Sequence, residues 1–148
     1  MNHWGQRKLL LSEIEFLTLH SKPGDLVVYA GAAPGTHTNF LADLFPSLEF
    51  LLVDPAEFYA TETDRVKIRQ EFFTDDTCAE LKALNREMLF ISDIRTADPK
   101  ALSEAEVEAA VHRDMELQMR WHQLLRPRYS MLKFRLPWGG GTTKYLSG

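Results

Sequence analysis

The ten residues LVVYAGAAPG, from Leu26 to Gly35, decide the fold. The first five are apolar or aromatic without interruption, as expected of a parallel strand that is buried on both faces of a sheet. The next five begin and end with glycine, so the chain can turn sharply as it leaves that strand. A helix predicted over 36–45 follows. This succession is typical of the first unit of a parallel α/β sheet.

The rest of the chain repeats the alternation of strands and helices. Ser103 and Glu106 form a capping box at the start of the clearest helix, and Pro127 ends it. With right-handed crossovers, the pattern predicts a three-layer Rossmann-like sandwich around a parallel sheet. Besides the first strand and the helix over 36–45, we predict strands over 49–53, 66–73, 88–93 and 129–136 and helices over 6–20, 75–86 and 104–125. Residues 137–148 are predicted to be a flexible tail.

The composition fits one globular domain over residues 1–148, of which 45% are hydrophobic. Cys78 is the single cysteine, which excludes an internal disulfide and a cysteine-based zinc site. The five histidines show no tight metal spacing, so we predict no metal. No apolar run approaches the ~18 residues of a membrane span. We therefore expect a reduced, intracellular setting and no contact with a membrane.

Charge is distributed unevenly along the chain. The net charge is −4, which argues against indiscriminate coating of nucleic acid. All 21 acidic residues lie at or before Glu116, whereas the remainder carries six basic residues and no acid. This basic segment could form one phosphate-facing surface, or it could be an ordinary solvated face.

Ligands of such sheets bind outside the carboxyl ends of the strands, near the point where strand order reverses. The residues predicted there are the loop Gly31–Gly35, Asp54 after the second strand and Asp93 after the fourth. The loop lacks the second glycine of G-x-G-x-x-G, and Pro34 removes an amide that a pyrophosphate would use. Asp54 suits the hydroxyls of a ribose. These features favour a nucleoside ligand without a pyrophosphate, such as S-adenosylmethionine, although simple tight turning also explains the glycines.

Lys133 is unusual because it lies within a strand predicted to be parallel. It either points into the cleft or belongs to the wet face of an edge strand. Asp93 could likewise cap a turn, and Lys8 on the first helix could be a solvated surface lysine. The residues alone leave these alternatives open.

Four segments in order resemble the poxvirus-type mRNA cap-specific 2′-O-methyltransferases, in poxviruses also the regulatory subunit of the poly(A) polymerase. They are QRKLLL from Gln6, YAGAAPGTH from Tyr29, ISDIR from Ile91 and MLKFRLPW from Met131 to Trp138. The similarity covers nearly the whole chain. It implies a Rossmann-like, S-adenosylmethionine-dependent methyltransferase acting on the ribose 2′-hydroxyl of capped RNA. It further implies a virus-encoded, cytoplasmic protein, with packaging into the virion as an option.

The family uses a Lys-Asp-Lys-Glu tetrad, and by motif match Lys8, Asp93 and Lys133 resemble its first three members. A lysine accepts the 2′-hydroxyl proton only if a nearby cation and desolvation depress its pKa. The resemblance thus implies that Lys133 is the base, Lys8 the neighbouring charge and Asp93 the group that orients them. Trp138 stands where the family stacks an aromatic on the 7-methylguanine cap, although it could simply pack under its loop. The implied cofactor pocket comprises Gln6, Tyr29, Gly31, Gly35, His37, Asp54, Phe73, Asp93 and Ile94.

Two departures from the family pattern affect these expectations. No acid follows Glu116 to supply the tetrad glutamate, and the family's last helix and antiparallel strands are missing. We therefore expect either a fragment truncated at both ends or a shortened relative whose last strand leaves an open edge. The main hypothesis is a cap-specific 2′-O-methyltransferase with capped mRNA as its partner. The alternative is a non-catalytic RNA-binding or processivity subunit that partners a poly(A) polymerase catalytic subunit, and a weaker rival is a nicotinamide-dependent oxidoreductase.

Overall fold

The computed structural model describes residues 3–94, 103–135 and 141–147. Four helices and six strands lie along these ranges, mostly in alternation, as in a parallel α/β sheet. The helices are α1 (His3–His20), α2 (Thr38–Leu44), α3 (Asp75–Lys82) and α4 (Glu104–Leu125). The strands are β1 (Leu26–Ala30), β2 (Glu49–Val53), β3 (Val66–Arg69), β4 (Met88–Ser92), β5 (Tyr129–Arg135) and β6 (Gly141–Ser147).

The strands form one sheet in the order β3-β2-β1-β4-β5-β6. The first five run parallel, and β6 pairs with β5 in the antiparallel sense, from Tyr129 opposite Ser147 to Arg135 opposite Gly141. All five residues of β1 are buried, because β1 is flanked by β2 and β4 and covered on both faces. The expected α/β fold with a mostly parallel sheet is confirmed.

Two apolar layers cover the two faces of the sheet. On one face, side chains of α1 and α2 pack on alternate strand residues that include Val27, Tyr29 and Ile91. On the other face, α3 and α4 pack on the intervening residues, among them Val28 and Phe90. Because side chains alternate along a strand, residues two apart share a helix layer. This rule fixes which side chains can meet at the end of the sheet.

The prediction of a flexible tail over 137–148 is wrong for residues 141–147, because these form β6. Two threonines, a tyrosine and a leucine in this segment suit a strand, and pairing with β5 satisfies its backbone. As a consequence β5 is an interior strand and not the open edge that we expected. Residues 136–140 lie outside the described part of the chain.

Several predicted boundaries also shift. Residues 70–73 do not belong to β3, which ends at Arg69. Helix α3 is shorter than predicted, from the Thr74–Thr77 capping box to Lys82, whereas α4 has the predicted bounds and the Ser103 cap. The buried face of α4 contains Asp114 and Gln118, while Val111 and Met115 are half-buried. The buried face of α4 therefore contains polar as well as apolar side chains.

Ion pairs fasten the end of the sheet opposite the loop Gly31–Gly35. Arg128, just before β5, donates to both carboxylate oxygens of buried Asp25, just before β1, and to the backbone oxygen of His20.

Within the described residues, no helix is long and apolar enough to cross a membrane.

Candidate functional site

The strand order reverses between β1 and β4, because the chain builds outward from β1 to β3 on one side and then returns to β4 on the other. A cleft for a ligand is expected at the carboxyl ends of these two strands. The segments that meet there are the loop Gly31–Gly35 after β1 and the residues Asp93 and Ile94 after β4. The backbone N–H of Asp93 donates to the carbonyl of Ala30 at 2.9 Å, which joins the two segments.

Gly31 is required by the protein's own backbone. Its φ is +76°, and a Cβ there would lie 2.7 Å from the carbonyl carbon and oxygen of Asp93. Gly35 has a φ of +71°, and a Cβ would lie 3.2 Å from the side chains of Ala60 and Thr38. Side chains other than glycine rarely adopt such backbone angles. The tight turn that the sequence left open as an alternative, together with close approach of neighbouring chain segments, already explains both glycines.

Asp54, directly after β2, holds the loop in place. One carboxylate oxygen accepts a hydrogen bond from the amide of Ala33 at 3.2 Å, and the other accepts from the amide of Ala56 at 2.8 Å. A carboxylate has about four acceptor sites, and the Asp54 side chain is only half-buried. Acceptor capacity therefore remains for the hydroxyl groups of a ligand.

Asp93 and Lys133 lie at the carboxyl end of the sheet, directly after the last register pair of β4 and β5. The register pairs Ile91 with Met131 and ends with Ser92 opposite Leu132, so Asp93 and Lys133 are each the next residue after the last pair. Both lie two residues beyond buried members of the layer covered by α1, and therefore face the same side. Both are half-buried. Of the predicted tetrad residues, the structure thus brings these two together.

Helix α4 fixes the backbone of β5 at this point. The Gln118 side-chain amide donates to the carbonyl of Lys133 at 3.0 Å, and one turn later His122 Nδ1 lies 2.6 Å from Ser130 Oγ. Burial lowers the pKa of His122, whose ring is mostly shielded from water. A polar stripe on α4 therefore packs against the strand that carries Lys133.

Glu13 is the residue that sequence analysis missed. It lies on α1, is only 6% exposed, and is hydrogen-bonded to the side chain of Tyr29. Burial raises the pKa of Glu13 to about 8, with Asp93 raising it further and the Tyr29 hydrogen bond and Lys133 lowering it. A signal was present in the sequence, because Leu9, Glu13 and Phe16 share a helix face that otherwise packs on the core.

Three of the expected cofactor residues have buried side chains. Tyr29 is 4% exposed and turns toward Glu13, and Ile94 belongs to the core layer under α3 and α4. The Phe73 ring packs against Phe90 and Trp121 at centroid distances of 5.6 and 4.8 Å. These side chains support the walls of the cleft from behind, so any direct contact with a ligand is left to their backbone or to their neighbours.

Of the four remaining predicted residues, two are exposed and two are not fully described. Lys8 is exposed on α1, and His37 is exposed at the start of α2 with no side-chain capping bond. The structure describes the backbone of Gln6 but not its side chain, and Trp138 lies outside the described residues. Lys8 therefore stays a prediction as the neighbouring charge, and Trp138 stays a prediction as the cap-stacking group.

Among the basic residues after Glu116 whose side chains the structure describes, Arg120, Arg128 and Lys133 do not share one surface. Arg120 donates from two nitrogens to Asp75 on α3, and Arg128 is paired with Asp25 at the amino end of the sheet. Lys133 lies near the opposite, carboxyl end of β5.

Within the described ranges, no group of three or more His, Cys, Asp or Glu side chains is arranged to hold a metal ion.

A known protein family matches nearly the whole chain. The family model described as the poly(A) polymerase regulatory subunit matches residues 1–143. The chain belongs to the poly(A) polymerase regulatory subunit family. Within this family it is similar to proteins named cap-specific mRNA (nucleoside-2′-O-)-methyltransferase, with 34% identity over 147 residues in fowlpox virus (strain NVSL) and 32% over 149 residues in myxoma virus (strain Lausanne).

The chain spans about half the length of these relatives. The alignments cover 90% and 91% of the chain but 46% of the fowlpox protein and 43% of the myxoma protein. Among solved structures, a protein described as a ribosomal RNA methyltransferase from Plasmodium falciparum superposes with a TM-score of 0.61 at 14% identity. That superposition covers 85% of the chain and 75% of the other protein, and it supports the Rossmann-like fold of this family member.

Proposed function

We propose that this chain provides the donor site and catalytic lysine of a cap-specific mRNA 2′-O-methyltransferase. The observation that carries the proposal is that Asp93 and Lys133 directly follow the last register pair of β4 and β5 and both act electrostatically on Glu13, next to the glycine-bounded loop. That position is where ligands of such sheets bind. The names of the viral relatives supply the substrate class.

The cleft suits S-adenosylmethionine, and methyltransferase relatives imply this donor in general terms. Asp54 has acceptor capacity for the two ribose hydroxyls, and it already fixes the loop through the Ala33 amide. The loop has no G-x-G-x-x-G pattern, and Pro34 offers no amide to a pyrophosphate. The bound donor would supply an electrophilic methyl group on a sulfonium.

In this proposal Lys133 acts as the general base. A ribose 2′-hydroxyl is a weak nucleophile, so it must lose its proton while its oxygen attacks the methyl carbon. The neutral Lys133 amine would accept that proton, and Asp93 would hold the amine in register with the hydroxyl. Lys8 would add positive charge nearby. Trp138 would stack on the positively charged 7-methylguanine base of the cap.

A methyl-transfer assay tests the proposal. The chain is incubated with labelled S-adenosylmethionine and capped RNA whose first nucleotide lacks a 2′-O-methyl group. The product is then digested to locate the transferred methyl group. We expect transfer to the ribose, with Lys133→Ala lowering the rate by about 100-fold or more. Lys67→Ala on β3, an exposed lysine, should match the parent. Equal activity of Lys133→Ala and the parent would refute the assignment.

A second candidate follows from the name of the family. A poly(A) polymerase regulatory subunit could retain the fold and bind RNA without transferring methyl groups. This alternative predicts capture of a poly(A) polymerase catalytic subunit and salt-dependent RNA binding with no methylated product. Absence of RNA binding at low salt would remove it. A cytoplasmic site of action is part of both proposals.

A thermal-shift comparison separates both candidates from a nicotinamide-dependent enzyme. Only a ligand that binds the native state raises the melting temperature. We expect S-adenosylmethionine to raise it and NAD to leave it unchanged.

A further inference from the structure

We propose that Glu13 is a positioning residue for Lys133, completing with Asp93 a pair of carboxyl groups around the amine. The inference rests on the proposed function, because it assigns a role toward the lysine taken there as the base. No motif of the resemblance includes Glu13. The geometry of α1 over the sheet carries the argument.

Helix α1 covers the face of the sheet that leads to Lys133. Its residues Phe16 and Leu17 pack in the same layer as Tyr29, Ile91 and Met131, which lie side by side on β1, β4 and β5. Two residues further along β5, Lys133 emerges from this layer, as Asp93 does after β4. A side chain from the buried face of α1 can therefore reach the two groups from above the sheet.

Glu13 occupies that buried face of α1. The neighbours three and four residues away are apolar: Leu9, Leu10, Phe16 and Leu17. All of them pack in the core layer, so the helix itself offers no charge to the carboxyl group. The groups that act on Glu13 come from the sheet: the Tyr29 hydroxyl from β1, Asp93 after β4 and Lys133 from β5.

Burial of an acid at this position is costly unless its neighbours compensate. With its pKa near 8, Glu13 carries its proton at neutral pH, and Lys133 then faces one full negative charge rather than two. Tyr29 fixes one side of the carboxyl group. Asp93 and Lys133 both act electrostatically on the same carboxyl group, so in this proposal Glu13 biases the Lys133 amine toward one orientation at the carboxyl end of the sheet.

The test follows the titration of the Glu13 carboxyl group by ¹³C NMR in the full chain. Variants Lys133→Gln and Asp93→Asn leave Glu13 in place, and Lys67→Gln, at an exposed position of β3, is the control. The parent should titrate near pH 8. We expect Lys133→Gln to raise the midpoint and Asp93→Asn to lower it, each by about 0.5 pH unit or more. Midpoints equal to that of the control would overturn the proposal.

A reciprocal measurement reads Lys133 directly. Modification of its amine by trinitrobenzenesulfonate is compared in the parent, in Glu13→Gln and in Glu15→Gln, an exposed acid of the same helix. At pH 9, where Glu13 is ionised in the parent, we expect the amine to react about threefold faster in Glu13→Gln than in the parent, and no faster in Glu15→Gln. A purely structural Glu13 would leave the rate unchanged.

The two proposals fail in different ways. If the Glu13 titration responds to Lys133 and Asp93 but the parent binds no S-adenosylmethionine, the proposed function is wrong and the positioning of Lys133 by Glu13 is not. If the parent transfers methyl groups but Glu13 titrates independently of Lys133 and Asp93, the positioning role is wrong. In an active chain, Glu13→Gln should lower kcat and leave the KM for the donor unchanged.

Discussion

Gly31 and Asp93 touch backbone to backbone at the point where β1 and β4 leave the sheet. A Cβ on Gly31 would lie 2.7 Å from the carbonyl carbon of Asp93, closer than any real van der Waals contact. The first glycine of the loop is therefore part of the packing that places Asp93 beside Lys133. A change at Gly31 should disturb the candidate site through Asp93, even if no ligand touches the glycine.

Substitution of Gly31 tests this relationship, with Gly24 as a matched control. Both glycines have a positive φ, +76° and +87°, but a Cβ at Gly24 would meet nothing within 4 Å. We expect Gly24→Ala to lower the free energy of unfolding by about 1 kcal/mol and Gly31→Ala by about 3 kcal/mol or more. Urea denaturation measures both. Equal losses would mean that the backbone contact contributes nothing.

The Asp25–Arg128 pair should stabilise the opposite end of the sheet. Asp25 is 2% exposed, and its carboxylate accepts from Arg128 and from the Lys22 amide. Asp25→Ala leaves a partly buried guanidinium without its main partner, so we expect a loss of about 3 kcal/mol in urea denaturation.

Glu87 is the control, because it bonds the same arginine from an exposed position. Glu87→Gln should have a much smaller effect, since water and salt screen exposed pairs. If Glu87→Gln costs as much as Asp25→Ala, burial is not what makes the Asp25 pair important.

Glu13 should make the stability depend on pH. Its pKa is about 8 in the folded chain against 4.5 as the reference value, so the folded state holds a proton that the unfolded state releases. The stabilisation is complete below about pH 4.5 and is lost as pH rises through about 8. Glu13→Gln removes this dependence, and the difference between variant and parent should change by at most about 1.4 kcal/mol per pH unit.

The measurement compares unfolding free energies of the parent and Glu13→Gln from pH 5 to pH 9. The glutamine variant should gain stability relative to the parent as pH rises. Glu15→Gln supplies the control for a charge change on an exposed part of α1. Parallel curves for the parent and Glu13→Gln would contradict a protonated Glu13.

Cys78 should be inert toward thiol reagents in the folded protein. Burial, with a smaller effect of Asp75, raises the pKa of this thiol to about 12. The thiolate is the reactive form. At pH 8 a disulfide reagent should therefore report a full equivalent of thiol only after denaturation. Rapid reaction of the native chain would show that α3 opens readily or that the thiol is accessible.

The sequence determined the order of the elements up to β5. Continuous apolar runs predicted β1, β2 and β4, the capping box predicted the start of α4, and the ordered motifs predicted the family and the residues Asp93 and Lys133. These signals are local, since strand burial, helix capping and turn chemistry depend on residues close together in the chain. The same locality explains why β6 was missed: the strand that satisfies its backbone hydrogen bonds, β5, lies outside the segment itself.

The tertiary structure alone decided which side chains meet. Glu13 and Lys133 are 120 positions apart in the sequence, and no spacing rule connects them. Lys133 acts on the Glu13 carboxyl group because α1 packs across β1, β4 and β5, and because Asp93 and Lys133 directly follow the last register pair of β4 and β5. Whether a charge meets a partner or water depends on this packing. For that reason, only the folded chain shows that Glu13 is buried and that Arg120 and Arg128 are paired. It also shows that the backbone of Asp93 leaves no room for a side chain at position 31.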